Sequence, residues 1–410
     1  MTRPEYPMRH LLPLCVSLLL VGPVHAQTSQ PPPVTTAATP PTPDRTVLFV
    51  PLASTACADG PLSAMASDAF TPTVWATTFA TPPVGQRIER VAYDFSVSEQ
   101  GRPLSIRPVV SDGFSRLSVT TDAQIQASFA SWVFPQTARQ DCRLTLRLTP
   151  TLLSSADEMT VLRFYADARP RDALRTAVER RLRRPGDDCG RPPPRTLSYP
   201  DYLRPGRPRP GARSWSAVRW DLRDDGTTTN VEVIGSSGDA VLDEEARRAV
   251  SGSAFRSGAA RGCLMTFMRV GPNLAAPPVN RDPPDDPLQR CDEAFASRFT
   301  PGPLTYPEAL EDRGIEGWAR VRFDVATWGQ IGNVSVVEVQ PAEAFSPVAA
   351  RIVTSGRAVP SFDPQVRCVV PIQFRLPEDT ARPGDGQDGV DAPARPHFGP
   401  PPNTAAPAPF

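Results

Sequence analysis

The stretch Arg322–Val337, RFDVATWGQIGNVSVV, alternates side chains on either side of one glycine, Gly329, and the chain contains two further versions of it. VAYDFSVSEQG ends at Gly101, SAVRWDLRDDG at Gly226 and ARVRFDVATWG at Gly329. Six residues before each glycine stands an aromatic side chain, Phe95, Trp220 or Phe323. Four before is Val97, Leu222 or Val325, and eight before is Tyr93, Val218 or Val321. A period of two places these residues on one face of a strand that ends in a glycine turn. Five residues after each glycine, Ile106, Val231 or Val334 opens a return strand, so each stretch predicts a β-hairpin.

A helical pattern follows each hairpin. It covers Asp122 to Phe134 in the first block, Asp239 to Val250 in the second and Ala342 to Val353 in the third. Asp239 suits an N-cap, and Pro347 must sit in a first turn because its ring blocks a helix interior. A last strand closes each unit: CRLTLRL, CLMTFMR and CVVPIQFRL. The expected fold is α+β, three small repeats of strand, strand, helix, strand, each an antiparallel sheet packed on a helix.

The 410 residues suffice for two or three domains, and the 51 prolines gather in seams that divide them. Residues 1–26 read as a secretory signal peptide, with Arg3 and Arg9 before the apolar run Leu11 to Val24 and a small-residue site at Val24-His25-Ala26. The expected location is the periplasm, with an inner-membrane anchor as the alternative if that segment stays uncleaved. Residues 27–45 form a Pro/Thr-rich linker. The first repeat, the most divergent, spans 46–183 with an extra strand and helix, and the second spans 184–272. A Pro-rich linker occupies 273–287, the third unit 288–376, and a disordered Pro-rich tail 377–410.

Cysteines mark the same register. Cys142, Cys263 and Cys368 each begin a closing strand, and Cys57, Cys189 and Cys291 each precede a hairpin. The seventh cysteine, Cys15, falls in the signal segment, and the remaining six thiols allow fifteen pairings. Equivalent positions recur in every unit, so the economical set is one bridge inside each: Cys57 to Cys142, Cys189 to Cys263, Cys291 to Cys368. Units of this size bury modest cores, and closing a loop of such length contributes about 4 kcal/mol in the chain-entropy account. No C-x-x-C spacing suggests a redox or metal role for them.

Composition narrows the chemistry. The 44 basic and 44 acidic residues cancel, which disfavours nucleic acid as a partner. Every basic residue is Arg, so no lysine Schiff base or lysine general base exists. The three histidines, His10, His25 and His397, fall in the signal segment and the tail, which leaves the folded blocks without a Ser-His or Cys-His pair. Asp282, Asp285 and Asp286 read as solvated linker, and Asp243, Glu244 and Glu245 as a helix face in water. The run Arg180 to Arg184 reads as an exposed helix end. No enzyme, metal or cofactor is expected.

In the third block Tyr306-Pro307, Ala309, Gly314-Ile315-Glu316-Gly317, the VRFDV strand, Gly329, NVSVVEV, Pro341, Phe345, Ala349-Ala350, Pro360 and VVPIQFRL together resemble the TonB C-terminal domain family, over about Leu304 to Leu376. The second block, with Tyr199-Pro200, Trp220, Gly226, NVEVIGSS and EEARRAV, resembles a more divergent copy. The first lacks the Tyr-Pro pair, and its Trp132-Val133-Phe134-Pro135 resembles the end of the family's helix. The resemblance implies a domain that carries force to outer-membrane receptors and binds an extended receptor segment, or another envelope protein, by strand addition. By position the partner-binding edge would be Val369, Val370, Pro371, Ile372, Gln373, Phe374 and Arg375. Pro371 suits an edge because it cannot donate to a ladder. Coupling to an inner-membrane motor requires an uncleaved N-terminal segment. Here Ser17 and His25 are eight apart, and the linker lacks the family's Glu-Pro and Lys-Pro runs, which weakens the implied force transmission. A free periplasmic scaffold is the competing expectation.

Overall fold

A strand that alternates large apolar side chains and ends in a tight turn folds back on itself. In the computed structural model this happens at Gly101, Gly226 and Gly329, whose φ values of 76°, 79° and 88° lie where only glycine sits without strain. The structure describes residues 42–64, 75–78, 89–110, 119–168, 172–190, 192–204, 206–256, 258–279, 286–291 and 295–377. The expected signal peptide, linker residues 27–41 and the tail beyond Pro377 lie outside these residues.

The first block opens with β1 (Thr46–Cys57), which pairs with β2 (Gly60–Pro61) and with β3 (Trp75–Thr78). The hairpin follows as β4 (Glu89–Val97) and β5 (Pro103–Pro108), then helix α1 (Val119–Ala130) and closing strand β6 (Arg139–Leu152). The sheet runs β2-β1-β6-β4-β5, with β3 off this path on β1. Helix α1 starts before Asp122 and stops at Ala130, short of the expected Phe134. The reason is tertiary. Phe134 N–H donates to Gly101 C=O at 2.8 Å, and Trp132 and Phe134 leave the helix to pack with Phe95 and Phe129 in one aromatic cluster. A Cβ on Gly101 would collide with the Phe134 carbonyl.

Two helices come next, α2 (Glu158–Ala168) and α3 (Asp172–Leu182), where the sequence suggested one. The second block then contributes β7 (Pro194–Thr196), β8 (Arg213–Leu222), β9 (Thr228–Ser236), α4 (Ala240–Ser251), β10 (Ala254–Phe255) and β11 (Ala260–Val270). Its sheet is β11-β8-β9, and β7 pairs with β10. Asp239 caps α4, accepting from Leu242 N–H at 3.0 Å, and buried Arg269 holds the same carboxylate at 2.6 Å.

The third block contains α5 (Phe295–Arg298), β12 (Phe299–Thr300), α6 (Glu308–Glu311), β13 (Gly317–Val325), β14 (Ile331–Gln340), a 3-10 turn over Glu343–Phe345, α7 (Ser346–Thr354), β15 (Arg357–Ala358) and β16 (Gln365–Phe374). Its sheet is β14-β13-β16, and β12 pairs with β15. The expected single helix from Ala342 is split: Pro347 lies in the first turn of α7, and the residues before it form the 3-10 turn.

The blocks pack into one another. A single apolar core joins the first and third, running from Tyr93, Phe129 and Ile106 to Leu310, Ala342 and Phe345. At this seam Ile106 N–H donates to Pro341 C=O at 2.9 Å, Ser105 N–H to Gln340 Oε1 at 2.9 Å, and Ala344 N–H to Gln126 Oε1 at 2.9 Å. Helices α2 and α3 belong by sequence to the first block, yet Leu162, Phe164 and Val178 share a core with Trp215 and Ala217 of the second sheet. The opposite face of that sheet packs on α4 through Trp220, Leu242, Ala246 and Phe255. The second sheet is therefore covered by helices on both faces.

Part of the Pro-rich segment 273–287 is laid onto the third block. Leu274 N–H donates to Gly314 C=O at 2.8 Å, Glu316 N–H to Leu274 C=O at 3.0 Å, and the buried Trp318 indole N–H to Pro277 C=O at 3.0 Å. Asp286, expected in solvent, instead accepts from Arg367 Nε at 2.6 Å and lies 3.6 Å from Arg322. Glu245 is a second departure from a water-facing expectation. It is buried, accepts from Asp201 N–H at 2.9 Å and pairs with Arg204 and Arg248. Glu244 does face water, paired with Arg247. In the Arg180 to Arg184 run, Leu182 is buried, Arg181 donates to the Leu153 and Ala156 carbonyls, and Arg184 reaches Glu158 at 3.0 Å.

Candidate functional site

Among the described residues no group of three or more His, Cys, Asp or Glu is placed to hold a metal, and no helix is long and apolar enough to cross a membrane. The expected edge lies at the outer margin of β16. Strand β16 ends the sheet β14-β13-β16, and among the described residues its other side meets only an isolated bridge, Arg290 to Val366. Cys368, Val370, Ile372 and Phe374 turn their side chains into the core, while Pro371 and Gln373 are exposed and Val369 is half-buried.

The direction of the backbone groups follows from the hairpin. Ala326 N–H donates to Gln330 C=O at 2.9 Å, so residue 326 faces β14. Antiparallel ladders alternate, which turns Val325, Phe323, Val321 and Ala319 toward β16. Their partners Phe323↔Cys368, Val321↔Val370 and Ala319↔Ile372 place Cys368, Val370 and Ile372 in the ladder. Val369, Pro371 and Gln373 therefore point their main-chain groups outward. Proline at 371 has its missing N–H on that outer side, the one place in a strand where it removes no ladder bond.

Two bulges fix this register. Asp324 on the central strand accepts from Asn333 Nδ2 at 2.6 Å on one neighbour and from Arg367 N–H at 2.7 Å on the other. Asn333 and Arg367 both have positive φ, 51° and 55°, and each sits where the ladder shifts by one residue. The second sheet repeats the clasp: Asp221 accepts from Asn230 Nδ2 at 2.8 Å and from Gly262 N–H at 2.9 Å. The Asn230 amide above all, helped by the Gly262 N–H, holds the Asp221 carboxyl below the usual carboxylate range. The first sheet has positive φ at the matching Ser105 and Asp141. The sequence reading missed this clasp, although an asparagine four residues after the turn glycine in two blocks was its visible signal.

Disulfides join Cys57 to Cys142, Cys189 to Cys263 and Cys291 to Cys368. Each ties the chain before a hairpin to the start of the closing strand just past its bulge. At the other end of β16, Glu316 is buried and accepts from Arg375 Nη1 at 2.9 Å and Leu376 N–H at 3.0 Å. Arg375, expected within the edge, thus lies just past the strand in an ion pair. Tyr306, Phe345 and Phe374 pack ring to ring beneath it, and Tyr306 Oη donates to Ile315 C=O at 2.7 Å.

The first sheet shows the corresponding margin filled. Strand β1 runs antiparallel along β6 from Val47↔Leu152 to Ala56↔Arg143. Counting from the closing cysteines, Thr145 of β6 and Thr266 of β11 stand where Pro371 stands in β16.

No curated protein matches the chain. The model of the family described as Gram-negative bacterial TonB protein C-terminal matches residues 214–262 and 302–376. The first match covers β8, β9, α4 and β10 and stops one residue before Cys263, and the second runs from before α6 through β16. The family is that of a non-enzymatic, envelope-associated transducer domain linked to transport. The chain thus carries two matches to the TonB C-terminal domain family, one in its second block and one in its third.

Proposed function

We propose that this is an exported protein of the cell envelope that binds an extended segment of a partner protein along the outer margin of β16. The observation that carries the reading is the row of outward main-chain groups at Val369, Pro371 and Gln373, with which no strand among the described residues pairs, on a strand whose counterpart in the first sheet accepts β1. Recognition of this kind rests on backbone hydrogen bonds and needs no reactive side chain. The natural partner class is an outer-membrane receptor segment or another envelope protein. Coupling to an inner-membrane motor applies only if the N-terminal segment is retained.

The three strand, strand, helix, strand stretches are, in this reading, copies of one unit. The shared order, with the first hairpin strand between the return strand and the closing strand, the matching positive-φ positions and the matching disulfides support this. The disulfides suit an oxidising periplasm. One observation favours the competing scaffold: the first and third blocks share a core across the Ile106 to Pro341 contact, so the repeats serve one another as packing partners.

Binding of extended receptor-derived peptides to the full chain tests the choice. The edge reading expects binding that is lost when residues 366–376 are altered in a variant that still melts cooperatively. Absence of binding to any such peptide leaves the scaffold. Mass spectrometry of the mature chain starting at Gln27 would remove direct motor coupling.

A further inference from the structure

We infer that Pro371 is the specificity-determining residue of the β16 margin: it denies a donor at the middle of the bare row and so prevents pairing with a second copy of this chain. The inference rests on the edge-binding reading above and adds how the margin selects.

An exposed strand edge pairs with any other edge that offers a complementary row of N–H and C=O groups, and proline on the edge is one way to blunt it. The outward groups of β16 are those of residues 369, 371 and 373. With proline in the centre they comprise the N–H of Val369 and Gln373 and the three carbonyls. Two copies of β16 laid antiparallel about residue 371 would place proline against proline. The two bonds at the centre of that ladder would both be absent, and each carbonyl there would face a ring carbon.

The first sheet supplies the contrast. In the first, residue 145 is threonine, its outward side is occupied by Ser54 of β1, and Ser54 Oγ also donates to Thr145 C=O at 3.5 Å. A donor is kept where the chain fills the edge itself. In the second, the ends of β11 are tied by Cys189 N–H to Arg261 C=O at 3.0 Å and Arg207 Nη2 to Val270 C=O at 3.2 Å, and the matching residue is Thr266. β16 is also tied at its ends, by Arg290 N–H to Val366 C=O at 2.9 Å and Asn273 Nδ2 to Pro377 C=O at 3.0 Å, and no strand among the described residues pairs with residues 369 to 373 between these ties. A partner segment keeps the bonds at Val369 and Gln373 if its own carbonyl opposite Pro371 turns to water, which a lone extended peptide does and a rigid second sheet does not.

The test compares the full chain with Pro371→Thr, which installs the residue found in the other two sheets, by light scattering and by peptide binding. The wild type is expected to remain monomeric near 44.4 kDa before any processing, and the variant to approach twice that mass at tens of micromolar. Pro371→Thr combined with Gln373→Pro should return the mass to that of the monomer, which ties the association to this edge. Should threonine not be tolerated, Pro371→Ala restores the same N–H with a smaller side chain and carries the same expectation. Variants that fold and stay monomeric overturn the inference. Failure of the wild type to bind any extended peptide, with Pro371→Thr dimeric, would instead remove the edge-binding reading and leave the proline's block on self-pairing standing.

Discussion

Replacing Asp324 by alanine removes one carboxylate that holds two strands to the centre of the third sheet, and the structure sets the size of the effect. The bond from Asn333 Nδ2 is exposed, so the amide turns to water at a cost of about 1 kcal/mol. The bond from Arg367 N–H is half-buried and goes to an ionised acceptor, which is worth about 1.5–3 kcal/mol. Both partners also hold left-handed backbone, which an Asn tolerates and an Arg adopts only when fixed by its surroundings. The sum is about 2.5–4 kcal/mol, a large part of the roughly 5–15 kcal/mol that stabilises a typical domain. Urea denaturation followed through Trp318 and Trp328 measures it, and hydrogen exchange locates it. Exchange should rise first in β16 and at the Asn333 bulge, and peptide binding should fall because residues 369 to 373 lose their register. Asp324→Asn keeps an acceptor without the charge and should lie between the two. A loss below about 0.5 kcal/mol, or an exchange increase spread evenly over the chain, would refute the view that this carboxylate sets the edge.

Removing the third bridge by Cys291→Ala with Cys368→Ala opens a span of 77 residues and should cost about 4 kcal/mol, read as a lower urea midpoint. Ile106→Ala should cost about 2–5 kcal/mol, since Ile106 is fully buried where the first and third blocks meet, and exchange should increase together in α1 and in the Glu343–Phe345 turn. Glu245 is held at about 2, chiefly by its bond from Arg248, against an ordinary value of 4.5. A depressed carboxyl stabilises the fold above its unfolded value, and that contribution disappears as pH falls from about 4.5 toward 2. Glu245→Gln should flatten the acid limb of the stability profile in that window; an unchanged limb would show that the ion pairs of α4 do not control it.

The hairpins were legible because their signal is local. An aromatic six residues before a glycine and a branched residue four before it can share one face only in a strand, and the turn after it requires glycine's backbone freedom. The cap at Asp239 was legible for the same reason. The bulges were half-legible: Asn230 and Asn333 are visible in the sequence, but that each meets an aspartate across the central strand depends on two shifts of register that no periodicity records. Arg367 gave no signal, because its left-handed backbone is imposed by Asp324 and Asp286 and is not preferred by the residue.

Glu245, Asp286 and the Trp132 to Phe134 segment show where local reading stops. A carboxylate on a helix or in a Pro-rich stretch looks solvated unless the arginines that surround it are known, and those arrive from as far as Arg204 and Arg367. The sequence by itself determined the hairpins, the helix after each, the closing strands and the cysteine register, since spacing along one chain is all these require. The tertiary structure alone decided that α2 and α3 cover the second sheet, that the first and third blocks share a core, and that β1 pairs along β6 while no strand among the described residues pairs along the outer side of β16. Those outcomes depend on which apolar faces find each other across more than a hundred residues, and burial of a face is a property of the pair, not of either segment alone.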